Sequence, residues 1–419
     1  MSLLNQSSDP SASSDVSFHI VGDAYIDFFC FLDGEWPENG GDSRLNQPVK
    51  CHAGGSSTNT ATHLKSLLHF FAPMPSPITL EDTHDTTNGN NNTELVVEPS
   101  VKLHTVLNPY DHYGQILLDH AEYHGFPIHN CWTEEDAASN ATTGHCIAII
   151  SGGERSFMTH QGVVENFDAS HINIEEMIDA PTNLHLHIAG FYNIPGFWNG
   201  KLQEKVSLIR KQRQRRHPHK TTTVSLVTQH DATKVWDGGL KDLLLLLDFV
   251  IMNDLEAQSI VKQGGLNVEN YEHEHLCWAE YFGALDKTCN VIVTRGEKGA
   301  IALRDKQILG KQKPIVVKAI DPTGAGDSFT AGFIHGLWSW KRAHPQSPPE
   351  QMNGGFRREL WPLVAIEEGM RWGVSVGSAA VLIRGASIPP KGEDIQAFLE
   401  QAKEPEYPIA SEGYYSAEG

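Results

Sequence analysis

The sequence predicts an α/β protein whose mainly parallel central sheet is covered by helices on both faces. Unbroken apolar runs recur at His145–Ser151, Leu184–Ile188, Thr223–Val227, Phe249–Met252, Asn290–Thr294 and Val316–Ile320. Helical patterns fall between several of them, at Ile116–His124, Gly200–Lys211, Glu256–Gln263 and Leu276–Phe282. Short strands that are apolar on both faces and separated by helices belong to sheets buried on both sides. Polar or glycine-rich turns follow several of these runs, and open α/β sheets bind ligands at the carboxyl ends of their strands.

The folded part begins with the apolar run Phe18-His19-Ile20-Val21, which enters the turn Gly22-Asp23. One domain is expected over residues 16–400, with disordered tails at 1–15 and 404–419. Residues 71–100, rich in Pro, Thr, Asn and Asp, read as a disordered surface insertion. Hydrophobic content of 40% and charged content of 20% are those of a globular protein. The net charge of −20 argues against general attraction to nucleic acid or anionic membrane. Six scattered cysteines without a CxxC pair read as reduced thiols. No apolar stretch reaches membrane-spanning length, and the first residues lack the basic and apolar regions of a signal peptide. The expected location is cytoplasmic.

The most telling segment is Asp321-Pro322-Thr323-Gly324-Ala325-Gly326-Asp327. Val316–Ile320 before it reads as a buried strand, and Phe329–Trp338 after it reads as a buried helix. Gly324 and Gly326 let backbone N–H groups converge with no side chain in the way, and a helix N-terminus adds positive potential. Asp327 beside such an anion site suits a carboxylate that takes a hydroxyl proton while the N–H groups steady a transferring phosphoryl group. It equally suits an ordinary first-turn acid favoured by the helix dipole.

Four further groups lie at other turns. Gly54-Gly55 with Asn59 opens the helical pattern Thr60–Phe70, where a ligand could approach the backbone or the loop could simply be capped. Asp27, beyond the first strand, could accept two hydroxyl hydrogen bonds or be a turn residue. Asn253 and Glu256 could meet phosphate or metal-bound water, or form a helix cap. Thr294 to Gly299 forms a glycine-spaced turn suited to nucleotide phosphates, or a hairpin.

Taken in order along the chain, these motifs resemble the ribokinase-like (PfkB) family of carbohydrate kinases, from about Phe18 to Pro390. The resemblance rests on Gly54-Gly55…Asn59 and Asp321–Asp327, with support from Gly153–Phe157, Asn253…Glu256, Thr294…Gly299 and Arg384-Gly385-Ala386-Ser387. It implies a three-layer α/β/α core with a small β lid formed by about residues 25–51 and 141–161. It implies an ATP-dependent kinase acting on a hydroxyl of a sugar or sugar-like molecule, with Asp327 as base and Gly324, Ala325 and Gly326 as anion hole. Asp27, Gly54, Gly55 and Asn59 would contact the sugar. Asn253, Thr294, Gly296, Gly299, Gly324 and Gly326 would contact ATP. Glu256 would reach Mg2+ through water, while Asp321, Thr323 and Ser387 would surround a K+-type ion. A homodimer through the lid is also implied.

Alternatives are a nucleoside kinase, for which Phe28, Phe29 and Phe31 are candidates, and a catalytically silent scaffold. A sugar-phosphate kinase would draw on Lys50 and Arg155. The family's Gly-x-x-Gly-Asp-Asp segment survives only as Asp111 and Gly114, and near the adenine pocket Val374 or Ser375 stands where relatives carry Asn. His185-x-His187 and His273-x-His275 invite a metal reading, weighed against packing. The basic run Arg210–Arg216 reads as a solvated helix end.

Overall fold

The computed structural model describes residues 16–34, 36, 38–71, 100–151, 154–345, 350–353 and 356–402. The tails, most of the 71–100 insertion and Gly153 lie outside the described residues. In chain order the first strands are β1 (Val16–Gly22), β2 (Tyr25–Phe31), β3 (Lys50–Gly54), β4 (Ser100–Thr105) and β5 (Ile128–Asn130). There follow β6 (His145–Ser151), β7 (Glu154–His160), β8 (Asn183–Ala189), β9 (Thr222–Val227) and β10 (Phe249–Asn253). The last are β11 (Asn290–Thr294), β12 (Ala300–Arg304), β13 (Gln307–Gln312), β14 (Glu350–Asn353) and β15 (Phe356–Glu359). Eight helices carry the packing: α1 (Ser56–Phe70), α2 (His112–His124), α3 (Lys201–Arg216), α4 (Asp254–Gln263), α5 (Glu274–Leu285), α6 (Ala325–Ala343), α7 (Leu363–Ala380) and α8 (Gly392–Gln401).

The central sheet runs β13-β12-β11-β10-β9-β8-β1-β4-β5. From β5 to β11 every pairing is parallel, and β12 and β13 close one edge antiparallel. One face buries Val224, Val250, Val291 and Ile301 together with Trp278 and Phe282 of α5. The other face packs Phe18 and Ile20 against α1 and α6, and Phe249 and Ile292 against α6 and α7. Helices cover both faces, and the central strands are accordingly buried on both sides. A separate small sheet, β3-β2-β6-β7, comes from the two segments expected to pair there.

Helices α6 and α7 meet backbone to backbone through glycines spaced four apart on each. A Cβ at Gly332 would sit 2.7 Å from the Trp372 carbonyl oxygen, and one at Gly336 2.8 Å from that of Glu368. Gly369 and Gly373 answer by receiving the rings of Phe333 and Phe329. This contact fixes where α6 begins, and its first turn carries Asp327.

Two expectations need correction. Val316–Ile320 is not a strand. It has no regular secondary structure, with Val316 94% and Ile320 58% exposed. Its last N–H groups, those of Ile320 and Asp321, donate to the Val381 carbonyl instead. The basic run is not simply a solvated helix end. Arg210 and Arg213 are buried, and Arg213 donates to the carbonyls of Met177, Ala180 and Thr182. The His185/His187 pair, which the sequence leaves between a metal and packing, is engaged by neighbouring side chains. Both rings share the Ser225 hydroxyl at 2.8 Å, and Trp338 Nε1 donates to His185 Nδ1. Among the described residues no cluster of three or more His, Cys, Asp or Glu could hold a metal ion. None of the described helices is long and apolar enough to cross a membrane.

The interior holds neutral histidines. His19 and His104 touch nitrogen to nitrogen at 2.9 Å between β1 and β4. Burial pushes His19 and His63 down to about 4, His187 and His335 to about 3, and His104 to about 2. Below pH 6.5 the unfolded imidazoles take protons that the folded ones refuse, so stability falls as pH falls, by up to about 1.4 kcal/mol per pH unit for each group. Three buried or half-buried carboxyls, Asp23, Asp27 and Asp327, oppose this over the same window, because their folded pKa values are raised. In all, ten histidines are lowered against five raised carboxyls, Glu256 and Glu367 included, which leaves a net loss. The unfolding temperature is therefore expected to drop between pH 7 and pH 5 in differential scanning fluorimetry, and an equal or higher value at pH 5 would contradict neutral burial of these rings.

Candidate active site

The site builds from the strand ends and the start of α6. Gly324 takes φ +74° at the helix N-cap, and a Cβ there would lie 2.6 Å from that of Ala386. Only glycine accepts both constraints, so the turn can press against residues 384–387. Gly326, two residues on, borders open space. The Ala325 N–H is engaged with the Pro322 carbonyl at 3.3 Å, so it is less free than the sequence suggests.

Asp327 is 6% exposed and accepts three side-chain hydrogen bonds. Ser56 Oγ donates at 2.7 Å and Asn59 Nδ2 at 2.8 Å, both from α1. Gln229 Nε2 donates at 3.3 Å from the loop after β9, where its backbone is held at φ +61°. Burial still dominates and pushes the Asp327 carboxyl up to about 7.

Asp27 faces it from β2. A Cβ on Gly54 would overlap the Asp27 carboxylate, so Gly54 is required by close packing, and Gly55 takes φ +87° to start α1. Burial first, then the Asp327, Asp23 and Asp321 carboxylates, push Asp27 up to about 7. Asp23 lies beneath, 1% exposed, accepting from Asn193 Nδ2 at 2.9 Å while its Oδ1 has no partner among the described residues. Burial raises it to about 6.

On the other side of Asp327, Asn253 caps α4 in a reciprocal box with Glu256. Glu256 accepts from the Asn253 N–H and Nδ2 and from Thr228 Oγ1, and burial raises its pKa. Its oxygens are thus occupied, which suits contact with a metal's bound water rather than direct coordination. Thr294 ends the neighbouring β11, with its hydroxyl donating to the Met252 carbonyl at 3.4 Å. Gly296 borders open space, and Gly299 packs tightly against the Gln312 carbonyl.

Asp321 holds two turns together, accepting from the Thr323 N–H at 3.0 Å and the Gly385 N–H at 3.1 Å. The Ser387 hydroxyl donates to the Ala53 carbonyl at 2.6 Å, tying this turn to the start of α1. His63 adds a further tie, with Nε2 2.8 Å from the Ala386 carbonyl and 3.0 Å from Ser328 Oγ.

Direct contacts bring Asp27, Gly54, Asn59, Asp321, Gly324, Asp327 and Ser387 into one neighbourhood, and Asn253, Glu256, Thr294, Gly296 and Gly299 lie at the ends of the paired strands β10 and β11. Sequence reasoning missed Ser56, Gln229, Asp23, Asn193 and His63. Ser56 lies inside the glycine motif already singled out, whereas Gln229 and Asn193 carry no local signal. Asp111 and Gly114 serve at the junction of the small sheet: Asp111 caps α2 and accepts from the Thr143 N–H, just before β6. Ser375 is buried with its hydroxyl on the Arg371 carbonyl, and Val374 belongs to the core.

Buried carboxyls from the turn after β1, from β2 and from the first turn of α6, beside an open glycine turn at a helix N-terminus, make a site suited to a polyol and an anion held side by side. Residues 108–389 match the pfkB family of carbohydrate kinases, and the chain belongs to that family. Adenosine kinase 1 of Arabidopsis thaliana is 26% identical over 239 residues, 54% of this chain and 63% of its own length. Ribokinase of Haemophilus influenzae is 30% identical over 167 residues, 38% of this chain and 44% of its own. The chain thus spans less than two thirds of these relatives. Among solved structures, ribokinase from Giardia lamblia superposes with a TM-score of 0.67 at 17% identity, covering 91% of this chain and 99% of its own. Fructokinase from Vibrio cholerae, solved with fructose, ADP and calcium ion, gives 0.60 at 16% identity, covering 92% and 99%. These likenesses establish a ribokinase-like fold.

Proposed function

We propose that the protein transfers the γ-phosphoryl group of ATP to a hydroxyl of a small sugar or sugar-like molecule. The observation that carries this reading is a buried Asp327, raised to about 7, beside the open Gly326 turn and across from Asp27. A hydroxyl held by Asp27 and Asn59 presents its proton to Asp327. The hydroxyl oxygen bonds to the γ-phosphorus, the bond from that phosphorus to the bridging oxygen breaks, ADP leaves, and the proton resides on Asp327. The Gly324–Gly326 turn receives the charge of the phosphoryl oxygens, and Asn253, Thr294 and Gly296 border the remaining phosphates. Mg2+ accompanying ATP neutralises phosphate charge, and Glu256 would hold one of its waters. Asp321, Thr323 and Ser387 would surround a K+-type ion beneath the turn.

A nucleoside acceptor is the second reading, favoured by one observation. Strand register places Phe29 and Phe31 on the face of the small sheet that carries Asp27, with Ala148 and Ile150 opposite them on β6. Phe28 lies on the other face, against Tyr113 and His145. Two aromatic rings on the acceptor side suit a flat base. Lys50, paired with Phe29, is an exposed cation on the same face, and the side chain of Arg155 lies outside the described residues.

An ATP-consumption screen over pentoses, hexoses, keto-deoxy acids and nucleosides, with and without potassium, tests the reading. Turnover with one or more sugars is expected. Turnover confined to nucleosides selects the second reading, and inactivity across the panel favours a silent scaffold.

A further inference from the structure

The edge hairpin β12–β13 has two faces with different neighbours. Ala300 and Ala302 pack with Phe329 and Phe333 of α6, and a Cβ on Gly310 would lie against Leu363 and Met370 of α7. Ile301 and Leu303 point the other way, into the cluster containing Trp278 and Phe282 of α5. Lys311 pairs with Ile301 across the hairpin and therefore shares the α5 face. On that face, behind the Thr294–Gly299 turn, lies a cavity of about 480 Å³ lined by Arg295, Lys298, Ile301, Lys311 and Lys313. It is on the opposite side of the sheet from α6, whose first turn carries Asp327.

Arg295, Lys298 and Lys311 converge there in a chain whose net charge is −20. One acid answers Arg295: Glu274 Oε1 at 2.8 Å. The Arg295 side chain is only 15% exposed, and its Nε is buried without a partner among the described residues. A buried guanidinium donor left unmade is costly, and like charges around one concavity repel unless an anion joins them. His275, next to Glu274, is also buried with Nδ1 unpartnered among the described residues. Burial chiefly lowers it, and Lys311, His273 and Arg295 push the same way, so this ring adds no charge to the site.

We propose that this cavity is a second anion site, taking a phosphate dianion or the phosphoryl end of a phosphorylated small molecule through Arg295, Lys298 and Lys311. Arg295 supplies a planar fork suited to two phosphate oxygens, and the lysines supply point charges at the rim. Arg295 and Lys298 also belong to the turn that carries Thr294 and Gly296, with the Lys298 N–H on the Arg295 carbonyl at 2.9 Å. An anion bound to them and to Lys311 pins that turn to β13 from behind. Occupancy and the position of the turn are then linked.

Pyrophosphate titrated into the full chain at constant ionic strength, read by thermal shift, tests the site. The wild type is expected to show a saturable rise in unfolding temperature that persists in excess ADP. The double variant Lys298→Ala/Lys311→Ala is expected to need about tenfold more pyrophosphate for the same rise, a loss of about 1.4 kcal/mol. An equal response in the two proteins, or a wild-type response abolished by ADP, overturns the proposal. Lys311→Arg, which keeps the charge, is expected to retain the response. If the double variant melts early without ligand, Lys311→Gln alone carries the comparison, and an unchanged midpoint in that variant has the same overturning force. The readout is binding, so the outcome stands apart from whether any acceptor is phosphorylated.

Discussion

Asp327→Asn is expected to lower phosphorylation by about 10²–10⁴-fold, the range for loss of a positioned general base, while acceptor binding largely survives. The same substitution is expected to stabilise the fold. The unfolded carboxyl ionises near 3.8, whereas the folded one waits until about 7. Between those values the unfolded state holds fewer protons, so stability falls as pH rises, and above 7 the whole penalty is present. Asparagine removes it, and a rise of about 1–3 °C in unfolding temperature at pH 8 is expected for a chain of this size. In the wild type, kcat/KM is expected to fall about tenfold per pH unit below about 7, as the base takes its proton. Near-normal turnover by Asp327→Asn, or a kcat/KM flat from pH 5 to 8, would remove Asp327 from the role of base.

Arg210→Ala carries the largest expected effect on stability. Its guanidinium donates to the Leu246 carbonyl through Nε, to the Thr222 carbonyl through Nη1, and to Asp248 Oδ2 at 2.6 Å through Nη2. Both side chains of the pair are 2% exposed. Truncation strips the buried Asp248 of its countercharge, and losing one partner of such a pair costs about 3–5 kcal/mol. The denaturation midpoint should shift accordingly. Arg210→Lys recovers only part of the loss, because an ammonium does not reproduce the planar fork. Arg215→Ala, on the exposed side of the same helix, should stay within about 0.5 kcal/mol. A small effect at Arg210 would mean that water reaches Asp248.

The parallel sheet was legible because its central strands carry short apolar runs, and β11 begins and ends where the sequence predicts. His145–Ser151 belongs to the same set of runs yet forms β6 of the small sheet. Strand β4 escaped notice because Lys102 and His104 read as polar, yet His104 is fully buried as a neutral ring against His19. Val316–Ile320 failed in the opposite sense, since apolar composition makes a strand only where a neighbour offers hydrogen bonds. In the site, glycines and aspartates fixed by turn geometry could be read along the chain. Ser56, Gln229 and Asn193 could not, because their partners lie 271, 98 and 170 positions away and only the fold brings them near.

The three donors around Asp327 bear on thrift as well as on rate. In the proposed phosphoryl transfer, a carboxylate with no partners of its own would serve as general base to a water as readily as to an acceptor hydroxyl, and the nucleotide would be hydrolysed to no purpose. Here Ser56, Asn59 and Gln229 keep that carboxylate occupied. Two of the three stand on α1, which continues from β3 of the small sheet with only Gly55 between them. Whatever draws that sheet inward also tugs on the hands that hold the base, so an acceptor large enough to engage the sheet could loosen a grip that a lone water cannot.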